Sequence, residues 1–244
     1  MLFGLIMRGV AFEFRFKASS RRHVWDTFFF VGSVVATFSQ GIMLGALVQG
    51  LEASNRLYTG GPFDWLTPFS IVCGFAMIIG YALLGSTWLI IKTEHTLQVW
   101  ARKVSGWMLS ALVVAMMVVT AFMYFSDINA LEGWFGFPGL LYLAPMPIIV
   151  VLLFFLMRKD LSGEREYRPF LLTVALFLMG YIGVCFAIFP YIVPYQMTIY
   201  EAAAADTSLS FMLVGAVIML PIILSYTAFA YYTFKGKTGH EHMY

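Results

Sequence analysis

Six apolar runs dominate this chain, at approximately residues 24–51, 66–91, 106–125, 139–157, 169–190 and 209–234. Each is long enough to cross the ~30 Å hydrocarbon layer of a bilayer, some with tilt. Nothing in that layer hydrogen-bonds a backbone, so each run has to satisfy its own N–H and C=O groups as a helix. The two-residue alternation of a membrane β-barrel strand is absent. The expected fold is therefore all-α: a polytopic transmembrane helix bundle, with residues 1–244 forming a single integral membrane domain. Charged residues make up only 11% of the chain, where a soluble domain carries about 25%. A net charge of +2 leaves no electrostatic footprint for nucleic acid.

The chain opens on a shorter apolar stretch. Only seven residues precede Arg8, too few for a secretory signal core and far fewer than the ~20 needed to span. Residues 1–16 read as the end of a truncated helix, and the chain as an N-terminally incomplete copy of a longer protein.

Charge sets the orientation. The connections 13–23, 92–105 and 158–168 and the C-terminal tail hold thirteen Lys and Arg residues between them, and the connections 52–65, 126–138 and 191–208 hold one, Arg56. The sided bias places the basic connections and the C-terminus in the cytoplasm. Trp25, Trp65, Trp88, Trp100, Trp107 and Trp134 fall near the run ends, as an interfacial aromatic belt does. Gly41 with Gly45, and Gly80 with Gly85, read as points of close helix approach.

Four histidines, His23, His95, His240 and His242, all lie in connections or the tail. A histidine-ligated membrane haem needs an imidazole inside the bundle, so this chain is expected to bind no haem. Its methionines read as packing. Cys73 and Cys185 lie in apolar runs with no partner at metal spacing, and read as small buried residues. No phosphate loop, hydrolytic triad or HExxH is present.

Charge at or near the membrane is where function is expected next. Arg8 and Glu13 are five residues apart, about 140° around a helix, so they do not pair with each other. They serve either as helix-end anchors or in a proton route or inter-subunit contact. Asp26 opens the first full run, where a helix N-terminus favours a carboxylate. Gln40, near mid-membrane, needs a partner, and an interhelical hydrogen bond is the simpler choice over quinone or water. Asp64 and Trp65 read as cap and anchor. Lys92 and Glu94 close the second run at the cytoplasmic face.

Several phrases occur together in order: RGVAFEFR at 8–15, SQGIMLG at 39–45, GPFDWLTPF at 61–69, YALLGSTWLIIKTE at 81–94, PYIVP at 190–194, TIYEAA at 198–203 and LPIILSYT at 220–227. Together they resemble subunit II of the cytochrome bd quinol oxidases, most closely its shorter, cyanide-insensitive type. The resemblance implies a nine-helix subunit of two four-helix bundles plus one helix, of which this chain would hold the last six and the end of the third. It also implies a haem-bearing partner, subunit I, carrying haem b and haem d and oxidising quinol. Lipid and quinone would surround the pair in a bacterial or archaeal cytoplasmic membrane. This chain would stabilise subunit I and have no catalytic residues. The acidic residues that the family carries in its first helices are not present here. A secondary transporter or permease is the alternative, although charged, broken helices at the midplane are missing.

Overall fold

The computed structural model describes residues 1–18, 21–54, 57–125, 145–163, 165–234 and 236–237. Its helices are α1 (Leu2–Lys17), α2 (Arg22–Gln49), α3 (Pro68–Lys92), α4 (His95–Phe125), α5 (Pro145–Leu161), α6 (Tyr167–Ile188), α7 (Ile199–Ala202) and α8 (Asp206–Thr233). Five of them, α2, α3, α4, α6 and α8, are long and apolar enough to cross a membrane. The expected count of six is therefore not reached among the described residues. The remaining run corresponds to α5, which has 17 residues, and its expected start at 139 lies outside them. Asp127, Glu132 and Trp134 also lie outside, as do His240 and His242.

One further expectation is corrected. The third run is expected at 106–125, but its helix begins at His95. A helix does not stop where the membrane does, and residues 95–105 contain no proline or glycine to break it. The helical membrane bundle agrees with the expected all-α class, and two small antiparallel hairpins lie in its connections. In one, β1 (Ala53–Ser54) pairs with β2 (Leu57–Tyr58); in the other, β3 (Tyr191–Val193) pairs with β4 (Met197–Thr198).

Local chemistry fixes the helix ends. Gly50 closes α2 at φ 87°, a left-handed position that a Cβ would strain. The Thr67 hydroxyl accepts the Ser70 N–H at 3.1 Å and donates to Gln49 Oε1 at 2.7 Å, so the cap of α3 is tied to the end of α2. Thr67, not Asp64, is thus the cap. Asp64 instead accepts the Gly61 N–H, inside the preceding turn.

Helices α1, α2 and α3 pack through glycine. A Cβ on Gly4 would meet Gly32 O at 2.7 Å, and one on Gly41 would meet Cys73 O and Gly74 Cα at 2.6 Å. Such contacts are possible only backbone to backbone. Gly80 faces the Phe177 ring, and Gly85 has nothing within 4 Å, so that pair does not act together. Toward one end, Val48, Phe69 and Met123 form a buried cluster. Toward the other, Leu83, Leu109, Met157 and Leu176 join α3, α4, α5 and α6. Between α3 and α4, the Ser105 and Ser86 hydroxyls meet at 2.9 Å. Helix α8 has no buried residue and touches the bundle near its C-terminal end. Cys73 is half-buried, but Cys185 is exposed, contrary to the reading of both as buried.

Candidate functional site

The phrase at 81–94 ends in a polar cluster that joins several helix ends. Lys92 is the last residue of α3. Its Nζ donates to the carbonyls of Phe234 at 2.8 Å and Gly236 at 3.1 Å, and lies 5.4 Å from the Trp88 ring centre. It therefore caps the end of α8 rather than standing in solvent. Trp88 packs between elements, tilted against Phe170 of α6 at 5.1 Å and edge-to-face with Tyr231 of α8 at 5.9 Å. One turn of α3 thus holds both α6 and α8.

Beyond Lys92 the charges alternate. Lys237 Nζ reaches Glu166 Oε1 at 2.6 Å and Glu94 Oε1 at 3.7 Å. Gln98 donates to the same Glu166 oxygen at 2.9 Å and to the Ile90 carbonyl at 2.9 Å, so it also satisfies an end carbonyl of α3. The bonds from Lys237 and Gln98 hold the Glu166 carboxyl below its ordinary value. The bond to Glu166 raises Lys237 in turn. These groups tie four helix ends. Each described polar group in the cluster is engaged with a helix-end carbonyl or with an opposite charge.

A second cluster sits between α5 and α6. Asp160 is 4% exposed and lies 3.3 Å from Arg165 and 3.2 Å from Arg168. Arg102 of α4 donates to the carbonyls of Gly163 at 2.8 Å and Arg165 at 3.0 Å. The connection is thereby clamped onto α4.

At the other expected positions, Asp26 is not a helix-end residue acting alone. Helix α2 begins four residues earlier, and Asp26 bonds the Arg15 guanidinium of α1. Phe14 stacks on Trp25 beside them at 5.1 Å. Arg8 lies over the Phe29 ring at 5.2 Å. Glu13 is exposed and Gln40 half-buried. Neither has a hydrogen-bond or ion-pair partner among the described residues, so the expected interhelical bond of Gln40 is not found there. Sequence reasoning passed over Asp160, Gln98, Glu166 and Lys237. Its signal for Asp160 was an acid set among Arg158, Lys159, Arg165 and Arg168; polar residues at helix ends looked like ordinary solvated ones.

Among the described residues, the histidines are not placed to hold a haem iron at membrane depth. His23 and His95 stand at the first turns of α2 and α4, and the His95 side chain is 88% exposed. The buried methionines are packing: Met123 and Met157 sit in the two apolar clusters, and Met157 Sδ accepts the Thr173 hydroxyl at 3.7 Å.

Residues 1–234 match the family described as "Cytochrome bd terminal oxidase subunit II". Similar curated proteins include the cytochrome bd ubiquinol oxidase subunit 2 of Bacillus subtilis, 25% identical over 99% of this chain and 72% of that protein. The cytochrome bd-I ubiquinol oxidase subunit 2 of Escherichia coli is 25% identical over 99% of this chain and 73% of its own length. A probable cytochrome oxidase subunit 2 of Haemophilus influenzae is 25% identical over 97% and 72%.

Proposed function

This chain belongs to the cytochrome bd terminal oxidase subunit II family, and we propose from that premise that it is the haem-free membrane subunit of a complex that oxidises quinol and reduces dioxygen to water. One observation carries the division of labour. None of the four histidines falls in an apolar run, and a histidine-ligated haem at membrane depth needs one there. The haem b, the haem d and the oxidation of quinol then belong to subunit I. This chain stabilises that partner, keeps lipid from its haems and helps set access for protons or oxygen. With the family assigned, the transporter alternative loses its ground.

The polar residues divide by what they touch. Asp26, Lys92 and Glu94 are engaged within the chain, and Arg8 lies on Phe29; these we assign to holding the bundle. Glu13 and Gln40 are the better candidates for a proton route or a contact with subunit I. The chain is multi-pass in a cytoplasmic membrane, with its C-terminus on the cytoplasmic side, as the charge bias requires.

The test is to purify the complex through this chain and record its visible spectrum. A larger, haem-bearing polypeptide is expected to co-purify, with all haem absorbance in it. Isolation without such a partner, or haem retained by this chain after separation, refutes the reading.

A further inference from the structure

A cleft of about 760 Å³ opens where α4 and α5 diverge, lined by Arg102, Lys103, Trp107, Arg158, Lys159 and Ser162 among others. That volume lies within the range of small-molecule sites. No carboxylate is among the lining residues. The nearby acid, Asp160, directs its two oxygens to Arg165 and Arg168. Arg102 is spent on backbone carbonyls. Lys103, Arg158 and Lys159 form no ion pair among the described residues. Three cations thus converge on one concavity without a counter-charge there among the described residues.

The floor is open because Gly106 has no side chain. A Cβ there would meet only Arg158 Nη1, at 3.8 Å. Trp107 is 69% exposed at the edge, in the manner of an interfacial anchor. Below the cations the walls become apolar. On the helical period, Val114 and Met117 continue the face of α4 that carries Trp107 and Ser110, and Phe155 and Val151 continue the face of α5 that carries Arg158. All four are exposed. A basic concavity at the headgroup level, above an apolar seam, matches a ligand that is anionic at one end and hydrocarbon at the other.

We propose that this cleft binds the phosphate headgroup of an anionic phospholipid, with its acyl chains in the seam between α4 and α5. The phosphate sits among Lys103, Arg158 and Lys159, and the Trp107 indole N–H faces the headgroup region. The inference is independent of where the haems reside.

The experiment uses the complex that contains this chain, delipidated in detergent and titrated with phosphatidylglycerol or phosphatidylcholine. Retention of the first lipid is read by native mass spectrometry. Phosphatidylglycerol is expected to be preferred. The double variant Lys103→Gln/Lys159→Gln should weaken its retention about thirtyfold, which is about 2 kcal/mol for two cations near a surface. Gly106→Leu, which fills the concavity and keeps every charge, should also weaken it, and carries the test if the lysine pair fails to assemble. Lys17→Gln/Arg21→Gln removes equal charge from another basic connection and should change nothing. Equal loss in that control would reduce the effect to surface charge. Displacement by inorganic phosphate at the same concentration would make this a free-anion site. Lys103 and Lys159 shielded from an amine reagent after delipidation would mean a polypeptide covers the cleft. Each of these outcomes overturns the proposal, as does unchanged retention in Gly106→Leu.

Discussion

Gly41→Ala should destabilise this protein although it adds one methyl group. A Cβ at Gly41 would lie 2.6 Å from Cys73 O and Gly74 Cα and 2.9 Å from Met77 Cβ. Carbon atoms make their best contact near ~3.5 Å, so α2 and α3 would have to separate by about an ångström. The two nearest atoms are backbone and cannot rotate away. Overpacking of this kind costs about 1–3 kcal/mol, and rigid neighbours put this site near the middle, about 2 kcal/mol. For a chain of this size that is a fall of about 4–8 °C in apparent Tm. The comparison is Gly85→Ala, whose Cβ meets nothing within 4 Å. Removing a mid-helix glycine there should leave Tm unchanged or raise it slightly, since alanine is the better helix former. The assay is thermal unfolding of the purified complex with single substitutions at the two sites. If Gly41→Ala melts with the wild type while Gly85→Ala falls, the close approach of α2 and α3 is wrong.

Asp160→Asn should lower stability by about 1–3 kcal/mol, less than for a fully buried pair because Arg165 and Arg168 are half-exposed; thermal unfolding beside Arg165→Gln, with the smaller expected effect, checks it. The hold of Glu166 on the tail should depend on pH. Its carboxyl is depressed, so its contribution is complete above the ordinary value of 4.5 and is lost as pH falls below that; Lys237, raised from 10.5, keeps its charge throughout that range. The protection of the Phe234, Gly236 and Lys237 amides, taken as their exchange rate relative to the intrinsic rate at the same pH, should therefore fall on acidification, and Glu166→Gln should remove that response. Gln40→Leu should leave chain stability within about 0.5 kcal/mol, as expected of a position with no hydrogen bond to lose; a tenfold fall in turnover per haem with normal assembly, about 1.4 kcal/mol of barrier, would place the amide on a proton or quinol route. Cysteine labels placed in 158–168 should react from the cytoplasmic side only, and labels in 191–208 from outside only; the reverse pattern would refute the charge-based orientation.

How much was legible beforehand follows from the solvent. Run length and the exclusion of unpaired backbone from lipid were enough to read α2, α3, α6 and α8 within a few residues of their ends, and the phrase at 81–94 marked the junction that Trp88 and Lys92 make. Which face of each helix points inward was not legible. Lipid is as apolar as a protein core, so hydrophobicity does not separate the two in a membrane span. Gly80 and Gly85 look alike in the chain, yet one meets Phe177 and the other open space. Asp26 looked like a helix-end carboxylate until α1 brought Arg15 to it. Glu166 and Lys237 are 71 residues apart, and Asp160 is buried only because α5 and α6 fold back on each other. Membrane-spanning helices follow from the order of the residues, because backbone hydrogen bonding in hydrocarbon allows little else. Which glycines, carboxylates and lysines meet emerges only in the packed bundle, because those contacts depend on helix rotation and crossing, which an all-apolar surface does not encode.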